Sequence, residues 1–262
     1  MKKSAFLLGA AVALTAGSAT AADLAVKARP APVVAPVFSW TGCYLGVHAG
    51  GGAVRSSFTD TFVGEGAGRS WGNGGLAGGQ IGCNYQTGVL VLGIEGEGYW
   101  SGMRARQEGS SSIFIGEGTV TFRDTAEARN RWDYTVAGRV GVAYERAFIY
   151  GKAGWAWGRF DFNASQTISE GLDSQSITST GSGTLNGPLF GIGVEYALTN
   201  NWTVKGEYNY INYGLSPVSF AATQCENASC LTSPAFSQSF SAEKHIFKFG
   251  VNYLFNVGSA RY

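Results

Sequence analysis

The chain has 262 residues, of which 45% are hydrophobic, 13% aromatic and only 14% charged, and it contains 39 glycines. Its formal net charge is +1, and no run of like charges occurs, which argues against nucleic acid or a strongly acidic partner. High glycine and aromatic contents with so few charges are unusual for a soluble domain. They suit a closed sheet with glycines in a crowded interior and aromatic rings at membrane interfaces.

The N-terminal segment has the features of a secretory signal peptide. Lys2 and Lys3 precede an apolar stretch that begins at Ala5, and Ala19-Thr20-Ala21 is a small-x-small cleavage pattern. We therefore predict a signal peptide over residues 1–21, which is too short to span a membrane. Removing its two lysines from the 19 basic residues leaves 17 against 18 acidic ones, so the mature chain has a net charge of −1.

Three further parts follow the predicted signal peptide. They are a linker rich in proline and alanine, a folded domain and a short C-terminal extension, at residues 22–38, 39–255 and 256–262. Pro30, Pro32 and Pro36 alternate with small residues in the linker, a composition typical of an extended spacer. After the signal peptide, no apolar run reaches the ~18 residues that a membrane-spanning helix needs.

Eight segments of the folded domain alternate between apolar and polar residues, as strands with two different faces do. They cover residues 41–51, 74–86, 89–100, 131–144, 148–158, 187–198, 202–213 and 244–255. Three connections are short turns, at residues 86–88, 145–147 and 199–201. Four are long and rich in Gly, Ser and Thr, at residues 52–73, 101–130, 159–186 and 214–243. Because short and long connections alternate, we predict an all-β fold, an eight-stranded antiparallel up-and-down transmembrane β-barrel.

A four-residue pattern that ends in tyrosine recurs at the ends of four predicted strands. The copies are Gly82–Tyr85, Gly141–Tyr144, Gly193–Tyr196 and Gly250–Tyr253. Each copy leads toward a short turn or the chain end, so the tyrosines are expected at one edge of the barrel. Trp40, Phe148 and Trp202 begin neighbouring strands and are expected at the same level. The set predicts an aromatic belt at one membrane interface.

Charged residues inside the predicted strands occupy the face opposite to the apolar one. They are the acids Glu95, Glu97, Glu195 and Glu207 and the bases Arg139, Lys152, Lys205 and Lys248. An eight-stranded barrel has an interior barely wide enough for side chains, and buried charges there must be paired. Four acids and four bases therefore favour a salt-bridge network that closes the lumen. A selective channel would be expected to carry one sign in excess, and a narrow or gated pore is the alternative.

Residues that could carry catalysis or bind a cofactor are scarce. His48 is expected in the lumen and His245 at the external start of the last strand, and no Gly-x-Ser-x-Gly motif is present. The sequence therefore predicts no enzyme, no catalytic residues, no metal site and no cofactor. Capture of haem or of a host ligand through the external loops is a further alternative, although His and Met are few.

The four cysteines of an exported chain are expected to form disulfides. Cys225 and Cys230 lie in one external loop with four residues between them, and we predict a bond between them. Cys43 and Cys83 fall on the lipid face of adjacent strands near the short-turn edge. A cross-strand bond forms only if the register brings their Cα atoms within ~7 Å, and two independent thiols are the alternative.

Three stretches resemble a known family. Residues Phe38–Val47, residues Gly193–Trp202 and the end of the last strand are similar to the small outer-membrane β-barrel proteins of alphaproteobacteria, the outer-membrane immunogenic protein family. The resemblance spans about Trp40 to Phe255. It implies an eight-stranded barrel of the OmpA type in the bacterial outer membrane. It also implies a surface antigen with a role in envelope integrity or host contact, in a family that includes porin-like and haem-binding members.

The last strand resembles the assembly signal of such barrels. The matching residues are Lys248, Gly250, Tyr253 and Phe255. The resemblance implies recognition by the barrel-assembly machinery, with outer-membrane lipid as a second partner. Host or surface ligands would bind at the external loops, and nucleic acid is not an expected partner.

Overall fold

The computed structural model describes residues 38–58, 69–116, 118–170, 173–226, 229–234 and 236–255. The predicted signal peptide, nearly all of the linker and the C-terminal extension lie outside the described residues. The ten strands are β1 Gly42–Phe58, β2 Arg69–Thr87, β3 Leu90–Ser101, β4 Arg104–Ile115, β5 Gly118–Tyr144, β6 Ala147–Glu170, β7 Asp173–Ala197, β8 Trp202–Glu226, β9 Ser229–Thr232 and β10 Phe236–Phe255. The described ranges contain no helix long and apolar enough to cross a membrane.

Eight of the ten strands form a closed ring. Its order is β1-β2-β3-β5-β6-β7-β8-β10, and each strand is antiparallel to the next. The ring closes where β10 pairs back with β1, from Cys43 opposite Phe255 to Phe58 opposite Phe240. Strand β4 lies between β2 and β5 beyond the end of β3, and β9 pairs with β8. The predicted eight-stranded up-and-down barrel is confirmed.

The long connections differ from the prediction. Strands β5, β6, β7 and β8 have 27, 24, 25 and 25 residues, whereas about 9–11 residues suffice to cross a bilayer. Segments interpreted as loops, such as 159–170 and 173–186, are paired strands that extend the wall at the end opposite the short turns. Small polar residues alternate weakly, so the sequence pattern did not reveal them.

The aromatic belt at the short-turn end is formed by fewer residues than predicted. Tyr85, Tyr144 and Tyr196 are 63%, 77% and 48% exposed on the outer face. Trp202 is also exposed there, but Trp40 and Phe148 are completely buried, so their assignment to the belt was wrong. Phe148 alternates with the exposed Ile149 and therefore faces inward. Trp40 precedes β1 and packs against the Phe148 ring at 5.2 Å, inside the barrel.

A second aromatic girdle surrounds the barrel nearer the extended end. It consists of Trp100, Trp132, Tyr134, Trp155 and Trp157. Tyr134 stacks on Trp132 at 5.6 Å and on Trp157 at 5.0 Å. Ten residues separate Tyr134 from Tyr144 on β5, which corresponds to roughly 25 Å for a strand tilted by about 40°. The two girdles therefore border an apolar band as tall as the hydrocarbon layer.

A charge placed in this apolar band should destabilise the barrel in lipid. Val140 is exposed near the middle of the band, so Val140→Lys is expected to lower the free energy of unfolding by about 2–4 kcal/mol. The control Thr180→Lys lies at an exposed position of the extension and should change it by less than about 0.5 kcal/mol. Urea unfolding in lipid vesicles, followed by gel mobility, measures both, and equal effects would contradict the band assignment.

Candidate functional site

The predicted lumen charges all lie in the barrel interior. Strand β3 supplies Glu95 and Glu97, and β8 supplies Lys205 and Glu207. The others are Arg139 on β5, Lys152 on β6, Glu195 on β7 and Lys248 on β10. Each is at most 4% exposed, because its neighbours on the strand, mostly apolar or glycine, occupy the outer face.

Three lysines and three glutamates form the centre of this network. Lys152 Nζ lies 2.8 Å from Glu95, 3.1 Å from Glu97 and 3.1 Å from Glu207. Lys205 contacts the same three carboxylates at 2.9, 3.3 and 3.6 Å. Lys248 contacts Glu97 at 2.6 Å and Glu207 at 3.0 Å. Ammonium and carboxylate groups thus alternate across the lumen.

Arg139 extends the network toward the short-turn end. Its guanidinium lies 3.2 Å from Glu195 and 3.5 Å from Glu95. The guanidinium carbon is 4.7 Å from the ring centre of Tyr44 and 4.9 Å from that of Tyr150. The Tyr44 hydroxyl donates to Glu95 at 2.7 Å. Ion pairs with two carboxylates and stacking on two rings therefore hold the Arg139 guanidinium in place.

One further ion pair in the lumen was missed by the sequence analysis. Lys244 Nζ lies 2.8 Å from Asp133 Oδ2 and 3.0 Å from Asn130 Oδ1. The Tyr213 hydroxyl also donates to Asp133. Asp133 and Lys244 both lie within predicted strands, at positions that alternation assigns to the lumen face. The sequence pattern could therefore have identified them. Among the described residues, five acids and five bases thus lie in the interior, a set called the charged layer below.

The two histidines lie on opposite faces of the wall. His48 is buried and hydrogen-bonded to Gln80, whose amide donates to Asn252 at 2.7 Å. His245 is on the outer face, where its Nδ1 is 2.7 Å from the Tyr208 hydroxyl. They do not converge on a common acid, as a catalytic triad would require.

The central carboxylates resemble a metal site in their spacing but not in their surroundings. Oxygen atoms of Glu95, Glu97 and Glu207 lie within 4.8 Å of one another, close enough for one cation. Lys152 Nζ already contacts all three carboxylates within 3.1 Å. The lysine ammoniums therefore take the place of a metal ion, and the cluster does not fit one.

An apolar cluster lies inside the barrel below the charges, at the short-turn end. It consists of Trp40, Val91, Ala143, Phe148, Tyr150 and Ala197, all buried. The rings of Phe148 and Tyr150 stack at 4.9 Å, and Tyr150 donates to Glu207 at 2.7 Å. This cluster, called the lower cap below, is thus continuous with the charged layer.

A larger apolar cluster fills the interior toward the extended end. Its central rings are Phe160, Phe162, Tyr213 and Phe240. Phe162 and Phe240 lie 4.3 Å apart, and Phe160 and Tyr213 lie 5.5 Å apart. Met103, Leu185, Leu189, Ile211 and Val218 surround them. This cluster, called the upper cap below, comes largely from segments that the sequence analysis interpreted as loops.

The predicted Cys225–Cys230 bond is present, and Cys43 and Cys83, for which two independent thiols were the alternative, are also disulfide-bonded. Cys43 and Cys83 are directly opposite each other on β1 and β2, with Cα atoms 3.9 Å apart. Cys225 and Cys230 join β8 to β9 across a Cα distance of 4.1 Å. The first bond links the strands near the short turns, and the second closes a hairpin of the extension.

The predicted assembly-signal residues lie on β10. Lys248 faces the lumen network, and Gly250 faces inward where an added Cβ would be 3.1 Å from Gln80 Nε2. Tyr253 and Phe255 are exposed on the outer face with their rings 5.0 Å apart. Recognition of these four residues by the assembly machinery stays a prediction.

The chain is similar to outer-membrane proteins of other bacteria. Residues 9–255 match the family model described as outer membrane protein beta-barrel domain. The chain is 37% identical over 220 residues to the 31 kDa outer-membrane immunogenic protein of Brucella melitensis, covering 79% of this chain and 86% of that one. It is 33% identical to a 22 kDa outer membrane protein of Rhizobium leguminosarum, covering 71% and 70%. Among solved structures, it resembles OprG of Pseudomonas aeruginosa with a TM-score of 0.40 and 9% identity, covering 84% of this chain and 99% of that one.

Proposed function

Because the chain belongs to the outer membrane protein β-barrel domain family, and within it to the small alphaproteobacterial barrels, we propose that it is a non-enzymatic structural and cell-surface protein with a closed lumen. Its location is the bacterial outer membrane. Barrels of this kind keep their short turns on the periplasmic side, so the extended end is external.

The observation that carries the proposal is the filling of the lumen by three layers. The lower cap, the charged layer and the upper cap follow one another along the barrel axis. Tyr150 joins the first two, and Tyr213, through Asp133, joins the last two. An ion that crossed would have to displace paired charges and then pass an apolar cluster, and both steps are costly.

The extended wall supports a role at the cell surface. Strands β5 to β8 carry the barrel well past the external girdle, and their outer faces there are rich in Ser, Thr and Asn. A paired wall of this kind presents a fixed polar surface, to which host or surface ligands would bind. Haem capture is supported less well, because His48 is buried and His245 bonds Tyr208. The exposed aromatic rings of β10 support the proposal that the assembly machinery recognises this strand.

A solute-permeability assay separates this proposal from the narrow-porin alternative. Proteoliposomes containing the folded chain should swell in small sugars at the rate of protein-free liposomes, because the three layers leave no hydrated path. A large porin serves as the positive control, and a mobility difference between boiled and unboiled samples shows that the barrel is folded. Swelling above the protein-free rate would contradict the closed lumen.

A further inference from the structure

Four arginines form a cluster on the outer face, immediately beyond the external girdle. They are Arg104 on β4, Arg129 and Arg131 on β5 and Arg159 on β6. The residues beside them on the strands are mostly buried, as Met103 and Ala105 are on either side of Arg104, which fixes the arginines on the outside. We call this set the arginine cluster.

The register brings two like charges together on β4 and β5. Arg104 is directly opposite Arg129, an arrangement that destabilises a sheet unless an anion is present. Asp161, opposite Arg129 on the other side, forms its ion pair with Arg131 at 2.5 Å. Among the described residues, Arg104 and Arg129 have no ion pair, and Arg129 Nε is buried without a hydrogen-bond partner. The cluster therefore has unused capacity to bind an anion.

The height of the cluster matches the lipid headgroup layer. Arg159 is paired with Trp132 of the girdle, so the lowest arginine lies at the membrane interface. Arg129 is three residues beyond Trp132, or about 8 Å along the membrane normal for a tilted strand. The headgroup region is itself roughly 5–8 Å deep on each side of the hydrocarbon layer. The arginines therefore extend through that region.

A polar groove continues from the cluster across β6, β7 and β8. Its volume is about 520 Å³. It is lined by Arg131, Asp161, Asn163, Thr180, Gly181, Ser182, Ser219, Phe220 and Ala221. Hydroxyl, amide and carboxylate groups such as these can exchange hydrogen bonds with sugar hydroxyls.

We propose that the arginine cluster and the adjoining groove bind the phosphorylated sugar headgroup of a glycolipid in the outer leaflet. Arginine binds phosphate through two parallel N–H donors, and the acyl chains of the lipid would lie against the girdle. The positions paired in register with Asp161 on β7 and then β8 are the neutral Ser182 and Ser219, so the positive charge is confined to one sector. This inference goes beyond the proposed function and holds whether or not the lumen conducts.

Lipid titration of the folded mature chain in detergent micelles tests the proposal. The probe is lipid A with two phosphates, and native mass spectrometry counts the bound lipid. We expect the phosphorylated lipid to bind about tenfold more tightly than its dephosphorylated form, and Arg104→Gln with Arg129→Gln to remove about that factor. Arg104→Lys with Arg129→Lys should lose part of it, because the charge remains and the two-donor geometry does not.

The matched control removes two positive charges outside the arginine cluster. Arg106 and Arg123 lie farther out on β4 and β5, and their double Gln variant should bind like the unaltered chain. Equal losses in the two Gln pairs, or equal affinity for both lipids, would overturn the site. Displacement of the lipid by millimolar inorganic phosphate would also overturn it, since the site would then take a free anion. Boiled and unboiled gel mobility confirms folding. If the site pair does not fold, Arg104→Gln alone replaces it, and if the control pair does not fold, Arg123→Gln alone replaces that one.

Discussion

Replacing Lys152 by Met should destabilise the barrel more than any other single change that we describe. Lys152 Nζ contacts Glu95, Glu97 and Glu207 at 2.8 to 3.1 Å, and its side chain has no exposed surface. The variant leaves three buried carboxylates with one positive partner fewer. Removal of one partner from a buried ion pair costs about 3–5 kcal/mol, which is the expected loss in the free energy of unfolding. Urea unfolding in lipid vesicles, followed by gel mobility, measures it.

Two further variants test whether the loss of stability comes from the buried charges. Lys152→Met combined with Glu97→Gln restores the charge balance and should be more stable than Lys152→Met alone. Arg106→Gln breaks an exposed ion pair with Glu108, whose side chains are 63% and 61% exposed, and should cost less than about 1 kcal/mol. If Lys152→Met and Arg106→Gln had equal effects, the charged layer would not stabilise the fold.

Loss of the Cys43–Cys83 disulfide has the second largest expected effect. The bond closes a loop with a sequence separation of 40, whereas the Cys225–Cys230 bond has a separation of 5. The chain-entropy model gives about 4 kcal/mol for the first loop and about 2 kcal/mol for the second. Replacing Cys43 and Cys83 by Ala should therefore lower the urea midpoint more than replacing Cys225 and Cys230.

Each of the two double Ala variants serves as the control for the other. Each pair removes one disulfide and leaves no free thiol, so the difference reports loop size and position. The external hairpin can also open without unfolding of the ring, which reduces its effect further. A larger loss from the external pair would contradict this ranking.

The ring and its charged interior were predictable because strand alternation is a local signal. The alternation around Glu95 and Glu97 assigns each side chain to a face once the neighbouring Leu92 and Ile94 are placed toward lipid. The same rule applied to Asp133 and Lys244 would have completed the set of charges. Alternation also placed Cys43 and Cys83 on one face, but only the register of β1 with β2 brought them together.

Trp40 of the lower cap and most of the upper cap could not be predicted in the same way. Trp40 precedes the first strand, so no alternation determines which face it occupies. Phe160, Phe162 and Phe240 lie among small polar residues in segments whose composition indicates loops. Their burial depends on pairing of the wall beyond the membrane, which is a long-range property of the closed sheet. The upper cap thus became evident only from the strand pairings.

Single-channel recording in a planar lipid bilayer tests the closed lumen most directly. The sample is the mature chain, folded as shown by its mobility before and after boiling, with both disulfides intact. The three filled layers predict a flat current at all voltages at which the bilayer is stable. Reproducible open-channel steps from the folded protein, absent from a boiled sample, would contradict a closed lumen and favour the narrow pore.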